Sequence, residues 1–178
     1  MKKHIPVFDY ADHILNTLKK GVLLTAKADG KVNTMTISWG TLGIQWGKPI
    51  FTAFVRGSRY TSTFLDRNKE FTVNIPYAEV DKEILRICGT KSGRDMDKIR
   101  ELGLTLEDPE VISVPGIREF PLTLECKVRY VQEQDLSRLE KPFLSRYYPQ
   151  DVEGTFPGSN RDYHLAFYGE IVDAYIIS

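Results

Sequence analysis

Two short stretches carry hydroxyl and guanidinium groups onto the ends of apolar, β-patterned segments: residues 33–40, NTMTISWG, and residues 54–61, FVRGSRYT. Thr36, Ser38, Ser58 and Thr61 are neutral donors, and Arg56 and Arg59 add fixed charge. Strands that deliver both stretches to one rim would hold a phosphate monoester, and the pattern reads as a bound anion with an aromatic ring attached. Taken singly, each stretch reads as well as a solvent face, with Thr34, Thr36 and Ser38 on the polar side of an alternating strand and the arginines as surface charges. A third stretch repeats the chemistry: residues 88–98, CGTKSGRDMDK, form a glycine-flexible loop that carries Lys91, Ser92 and Arg94 into a helix holding Lys98. Three such segments in one small chain favour a local anion site over coincidence.

With that third stretch the chain resembles the flavin reductase-like, FMN-binding split-barrel proteins, and within them the flavoredoxin-type branch. The resemblance is carried in order by NTMTISWG, VRGSRYT, EFTVNI at 70–75, CGTKSGRDMDKIRELGLTL at 88–106 and YHLAFYGEIV at 163–172. It implies a mainly β fold, a split barrel of antiparallel strands with a few short helices, and a homodimer with FMN at or near the subunit interface. Arg56, Ser58, Arg59, Tyr60 and Thr61 then form the phosphate group. Asn33, Thr36, Ile37, Ser38 and Trp39 run along the isoalloxazine, with Trp39 either flanking the ring or filling the core. Ser92, Arg94 and Lys98 meet either FMN, from this subunit or its partner, or the incoming substrate. Either arginine of the phosphate group could alone pair with Asp66 or Glu70, but not both.

The elements that must position these groups are partly legible. Residues 9–20 place Ile14, Leu15 and Leu18 on one side of a short helix, with Asp9 as N-cap and Gly21 as stop. A strand at 22–26 turns through Asp29-Gly30 into a strand with two chemically distinct faces, Val32, Thr34, Thr36 and Ser38 against Asn33, Met35, Ile37 and Trp39. Residues 49–55 form a further strand, fed by a turn at 46–49. Tyr60, Phe64 and Leu65 predict a helix over 59–68 with Ser58 as its N-cap, so that the preceding loop aims backbone N–H groups at an anion. A strand at 70–75 ends at Pro76, helices follow at 80–87 and 95–102, the latter capped by Asp95 and closed by Gly103, residues 119–133 read as one long strand or a pair, and a final strand is predicted at 163–177. Residues 136–162, interrupted by Pro142, Pro149, Gly154, Pro157 and Gly158, read as a long excursion: a lid in which Tyr147 and Tyr148 cover a planar ligand, or a loop packed on a partner subunit.

The chain has 178 residues, 42% hydrophobic and 27% charged, which fits one domain over 1–178 with a real core. A formal net charge of zero builds in no attraction to nucleic acid or to an anionic membrane. The first residues are no secretory signal and no apolar run reaches the length of a membrane span, so a cytoplasmic location is expected. Cys88 and Cys126 form no CxxC pair, and with His4, His13 and His164 scattered, no metal site is expected. Cys88 reads as a buried small residue rather than a nucleophile, and His164 as a structural histidine at a strand end or a neighbour of the flavin or nicotinamide.

With no GxGxxG turn, a nicotinamide would dock transiently on the flavin face, and hydride transfer there needs no protein acid or base, so no catalytic residue is named. The leading expectation is an FMN-dependent oxidoreductase in which NAD(P)H reduces flavin and electrons pass to free flavin, a metal complex or a redox partner protein. The alternatives are a flavoredoxin-like FMN electron carrier without nicotinamide activity, and a flavin-free module that binds a small ligand or another protein.

Overall fold

The computed structural model describes residues 1–154 and 158–178. A short strand β1 (Lys2–His4) leads through a 3-10 turn at Val7–Tyr10 into helix α1 (Ala11–Leu18). Ile14 and Leu18 are buried, whereas Leu15 stays exposed. Asp9 falls inside the 3-10 turn and Tyr10 takes the capping position without a side-chain cap, which corrects the expected Asp9 cap.

Strands β2 (Val22–Ala28) and β3 (Lys31–Ile37) form the expected hairpin, with φ of 50° at Asp29 and 74° at Gly30, the left-handed pair that a two-residue turn demands. A second hairpin joins β4 (Gly40–Gln45) to β5 (Lys48–Arg56) through Trp46 and Gly47, again both at positive φ. Strand β4 was not foreseen, because its sequence GTLGIQ has no clean alternation. Helix α2 (Tyr60–Arg67) opens on Arg59, not on Ser58. Strand β6 (Glu70–Ile75) ends at Pro76, and α3 (Lys82–Thr90) is capped by Asp81, whose carboxylate accepts the Glu83 N–H at 2.8 Å. Helix α4 (Lys98–Glu101) is capped by Asp97 through Arg100 N–H at 3.2 Å, so Asp95 lies in the turn before it. Strands β7 (Leu106–Glu107), β8 (Gly116–Ile117) and β9 (Leu122–Glu133) follow. The segment expected to be irregular contains a helix, α5 (Lys141–Tyr147), before strand β10 (His164–Ile177).

The main sheet runs β3-β2-β6-β9-β10-β5-β4, antiparallel throughout, with β1 beside the far half of β10. Because β3 and β4 do not pair, the barrel is split along that seam. Its core is Leu24, Phe51, Phe71, Val73, Leu124 and Phe167, all fully buried. Gly169 lets the Phe71 ring lie against β10, since a Cβ there would stand 2.5 Å from Phe71 Cζ. On the other face Leu23, Cys88, Leu104, Ile117 and Phe120 form a second cluster that seats α3 and α4 on the barrel. A buried Asn74 ties the two faces together, with its amide donating to Thr25 and Thr72 at 3.0 and 3.1 Å and accepting the Ile117 N–H at 3.0 Å. Among the described residues no helix is long and apolar enough to cross a membrane.

Candidate functional site

A cavity of about 1010 Å³ opens between the start of α2, the 88–98 stretch and residues 158–163. Asn33 and Met35, two residues apart on β3, form part of its wall, as the period of a strand requires. Asn33 Nδ2 donates to Thr61 Oγ1 at 2.8 Å, which locks the first turn of α2 onto β3. Gly93 lies so close to Asn33 and Tyr60 that a Cβ there would overlap the Asn33 amide. The SGRD stretch can therefore lie on β3 only because it has a glycine at that point.

Two cations stand deepest. Lys98 is 4% exposed, and its Nζ reaches only backbone carbonyls, Lys91 O at 3.3 Å and Cys88 O at 3.5 Å. Burial pulls its pKa below the ordinary lysine value, and the nearby Arg59 charge pulls the same way. Arg59, half-buried, gives one long hydrogen bond to Gly89 O at 3.4 Å. Among the described residues neither has a carboxylate partner. Arg59 also holds the extended cap position of α2 with no side-chain cap; Ser62 N–H bonds back to Arg59 O at 3.0 Å, which leaves the N–H groups of Tyr60 and Thr61, both lining the cavity, without a partner in the helix. Two like charges and an open helix N-terminus converge on one place, and an anion there would relieve both.

Arg56 lines the same cavity but works otherwise. Its Nη1 donates to Asn160 O at 3.0 Å and to Asp162 O, its Nη2 donates to Tyr147 O at 2.9 Å, and Asp162 Oδ1 lies 3.8 Å away. The guanidinium also lies 4.8 Å from the centre of the Tyr148 ring. Ser58 N–H donates to Asp162 Oδ2 at 3.0 Å. Arg56 and Arg59 line one cavity, as expected of a shared site, but here Arg56 and the Ser58 backbone tie Tyr147, Asn160 and Asp162 to the barrel. The reason is register, since Arg56 is the last residue of β5 and pairs with His164 in the sheet, whereas Arg59 has already turned into α2.

Behind Arg56, Tyr148 is 3% exposed, and its hydroxyl shares a hydrogen bond with His164 Nδ1 at 2.7 Å. Burial, then the Arg56 charge, push the His164 pKa down to about 4, so the ring is neutral at ordinary pH. Tyr148 is an anchor rather than a cover for a ligand.

The remaining expected residues divide. Ser92 and Arg94 reach the cavity: Ser92 Oγ accepts the Arg94 N–H at 3.1 Å, and the Arg94 guanidinium lies 4.9 Å from the centre of the Tyr60 ring. Thr36, Ile37, Ser38 and Trp39 do not. Thr36 Oγ1 donates to Leu85 O at 2.7 Å under α3, and Ile37 is buried in the main core. Ser38 and Trp39 line a separate cleft with Phe54 and Tyr148. Trp39 is 39% exposed and lies edge-on to Tyr147 at 5.2 Å, so its body is not core. The cavity is also lined by Met35, which shares a face with Asn33 and was legible from strand period, by Arg86 on the helix predicted at 80–87, and by Arg161 and Asp162, which lie where no periodicity marks a position. Cys88 is buried as expected, and burial raises its thiol pKa to about 11, too high for a nucleophile near neutral pH. Among the described residues no three His, Cys, Asp or Glu side chains converge as metal ligands do.

The profile of the flavin reductase like domain matches residues 17–178. The chain belongs to the flavin reductase-like family. Two uncharacterized proteins match over 98 residues: one of Archaeoglobus fulgidus is 33% identical over 55% of this chain and 54% of its own, and one of Pyrococcus abyssi is 26% identical over 55% of each. The chain thus spans about half the length of the curated relatives it matches. Among solved structures, this family member is similar to flavoredoxin from Methanosarcina acetivorans, with a TM-score of 0.63 and 28% identity over 89% of this chain and 68% of that one. An FMN-binding domain of a flavin reductases-like enzyme from Shewanella baltica shares the fold, with a TM-score of 0.65 and 16% identity over 99% of this chain and 77% of that one. The architecture is therefore the FMN-binding split barrel.

Proposed function

We propose that the cavity holds FMN with its phosphate at the open N-terminus of α2, between Arg59 and Lys98, and that the protein is an FMN-dependent oxidoreductase reduced by NAD(P)H. One observation carries this reading: a nine-tenths buried ammonium and a guanidinium, neither paired with a carboxylate, meet an uncapped helix N-terminus. A phosphate monoester carries about −1.5 to −2 near neutrality, which fits two cations and a set of backbone N–H donors. The Thr61 hydroxyl, the Asn33 amide and the Ser92 hydroxyl edge the same space, and Tyr60 and Met35 give it apolar surface for a planar ring. When bound, FMN would supply the reversible transfer of one or two electrons, and this chain's residues would bind it, orient it and limit its contact with water.

The cavity mouth opens through exposed residues, and a second copy of the chain across it would exclude water from the ring, so we propose a homodimer. Two buried free thiols suit a reducing, cytoplasmic setting. The electrons then leave for free flavin, a metal complex or a partner protein.

A second reading, a flavoredoxin-like carrier fed by another redox protein, is favoured by the similarity to the Methanosarcina protein. Two measurements separate them. The purified protein should show an oxidised-flavin absorption band or acquire one with added FMN, and a protein that stays colourless refutes the cofactor. Anaerobic NADH or NADPH should bleach that band; a band that persists refutes the reductase and leaves the carrier.

A further inference from the structure

We propose that residues 158–163 form a gate over the cavity and that Arg56 is its latch, so that flavin enters and leaves only while the bonds from Arg56 to this wall are open. The proposal rests on the reading that the cavity holds FMN. The walls are built unequally. Strand β3 contributes Met35, buried in the main core, α3 contributes Cys88, buried in the second cluster, and α2 is seated by the buried Phe64 and Leu65. Residues 158–163 line the cavity as well, but none of them is buried: Ser159 and Asp162 are half-buried and the other four are exposed. A segment without a buried side chain to anchor it opens at a small fraction of the cost of global unfolding.

What ties this wall down is polar, and most of it converges on one guanidinium. Arg56 Nη1 donates to Asn160 O at 3.0 Å and to Asp162 O, Asp162 Oδ1 lies 3.8 Å from it, and Asp162 Oδ2 accepts the Ser58 N–H at 3.0 Å. Among the described residues the remaining tie is Gln150 Nε2, which donates to Arg161 O at 3.1 Å. Arg56 does not travel with the wall. It ends β5, is 8% exposed and pairs with His164 in the sheet, and its guanidinium rests on the Tyr148 ring, whose hydroxyl is bonded to His164. The donors therefore stand on the barrel and the acceptors on the wall. Opening strips a buried guanidinium of two carbonyls and a carboxylate, which favours the closed state, and it pulls no side chain out of a core, which keeps the open state within reach. A gate slows entry and exit by one common factor and leaves affinity nearly alone, whereas loss of a contact with bound ligand speeds exit only.

Two readouts test the latch in Arg56→Lys, which keeps the charge and loses the fork of donors. Flavin fluorescence after rapid mixing of flavin-free protein with FMN gives both rate constants, and each is expected to rise about fivefold or more in the variant while Kd changes less than about twofold. Amide hydrogen exchange of the flavin-free protein, followed by NMR, is the second readout. Ser58 N–H, held by the Asp162 carboxylate, is expected to exchange about tenfold faster or more in the variant, while Ser62 N–H, bonded to Arg59 O at 3.0 Å, keeps its rate. Asp162→Asn loosens the latch from the side of the wall and guards against one variant failing to fold. Measured with riboflavin, which lacks the phosphate and is indifferent to the lost charge, it should speed entry and exit alike. An exit rate that rises while entry stays unchanged makes the wall a ligand contact and overturns the gate; so do rate constants equal to the parent's, and so does Ser58 exchange that stays at the parent's rate. A protein that takes up no flavin defeats the reading above, and Ser58 exchange still decides whether the latch opens.

Discussion

Acid should loosen this protein through one buried ring. His164 Nδ1 shares a hydrogen bond with the Tyr148 hydroxyl and the ring stands beside the Arg56 charge, with 7% of its surface exposed. Its pKa of about 4 in the folded protein lies below the 6.5 of the free side chain. The unfolded chain therefore binds the proton more readily, and the stability contributed by the neutral ring is fully present above pH 6.5 and is lost as pH falls toward 4. Such a shift corresponds to a loss of about 2 kcal/mol between pH 7 and pH 5 and about 3 kcal/mol by pH 4. Urea unfolding at a series of pH values measures it, with His164→Asn as the reference, because the Asn amide keeps a hydrogen-bonding group near the Nδ1 position and does not titrate. His4, whose pKa is raised by its hydrogen bond to Asp173, acts in the opposite direction and, with the carboxylates, cancels in the comparison. The parent should lose about 2 kcal/mol more than the variant between pH 7 and pH 5. Parallel pH profiles for the two proteins, or a His164 pKa near 6.5 by NMR, would refute the reasoning.

Four further outcomes follow from the cavity and its moorings. Arg56→Ala leaves the Tyr147 and Asn160 carbonyls and the Asp162 carboxylate without their cation, and should cost about 3 kcal/mol in urea unfolding, with faster hydrogen exchange over residues 147–154 and 158–163. Gly93→Ala cannot keep the loop against Asn33, so FMN affinity by fluorescence titration should drop at least tenfold while far-UV circular dichroism stays unchanged. Arg59→Ala combined with Lys98→Met should weaken FMN at least tenfold more than riboflavin, which lacks the phosphate, and equal losses would sink the phosphate assignment. Lys98→Met alone removes a buried unpaired charge and should hold or raise folding stability, by about 1 kcal/mol in urea.

Where the chemistry of a turn is local, the sequence was readable: Asp29-Gly30 dictates its hairpin whatever surrounds it, and Pro76 stops β6 on its own. Caps were less readable. Asp9, Ser58 and Asp95 each stand one or more residues ahead of the true cap, because any nearby Asp or Ser satisfies the same local pattern and tertiary contacts choose among them. The basic loops did converge, but Arg56 and Arg59, three residues apart, separated in role once β5 ended between them. Trp39 misled because strand alternation says which residues share a face and not which cavity that face meets two turns of chain later. The acidic partner of Arg56 was out of reach of any pattern, since Asp162 comes from a segment whose path is set by the barrel and not by its own periodicity.

Strand β10 joins β9 on one side to β5 and β1 on the other, and β9 and β5 have no hydrogen bond between them without it. A ribosome finishes both halves of the sheet before it makes the fourteen residues that link them. Until then the nascent chain carries two bare strand edges, and assembly must wait for contacts that reach across nearly the whole polypeptide, a slow kind of folding open to misassociation. Cooler expression or chaperone co-production should raise its yield for that reason.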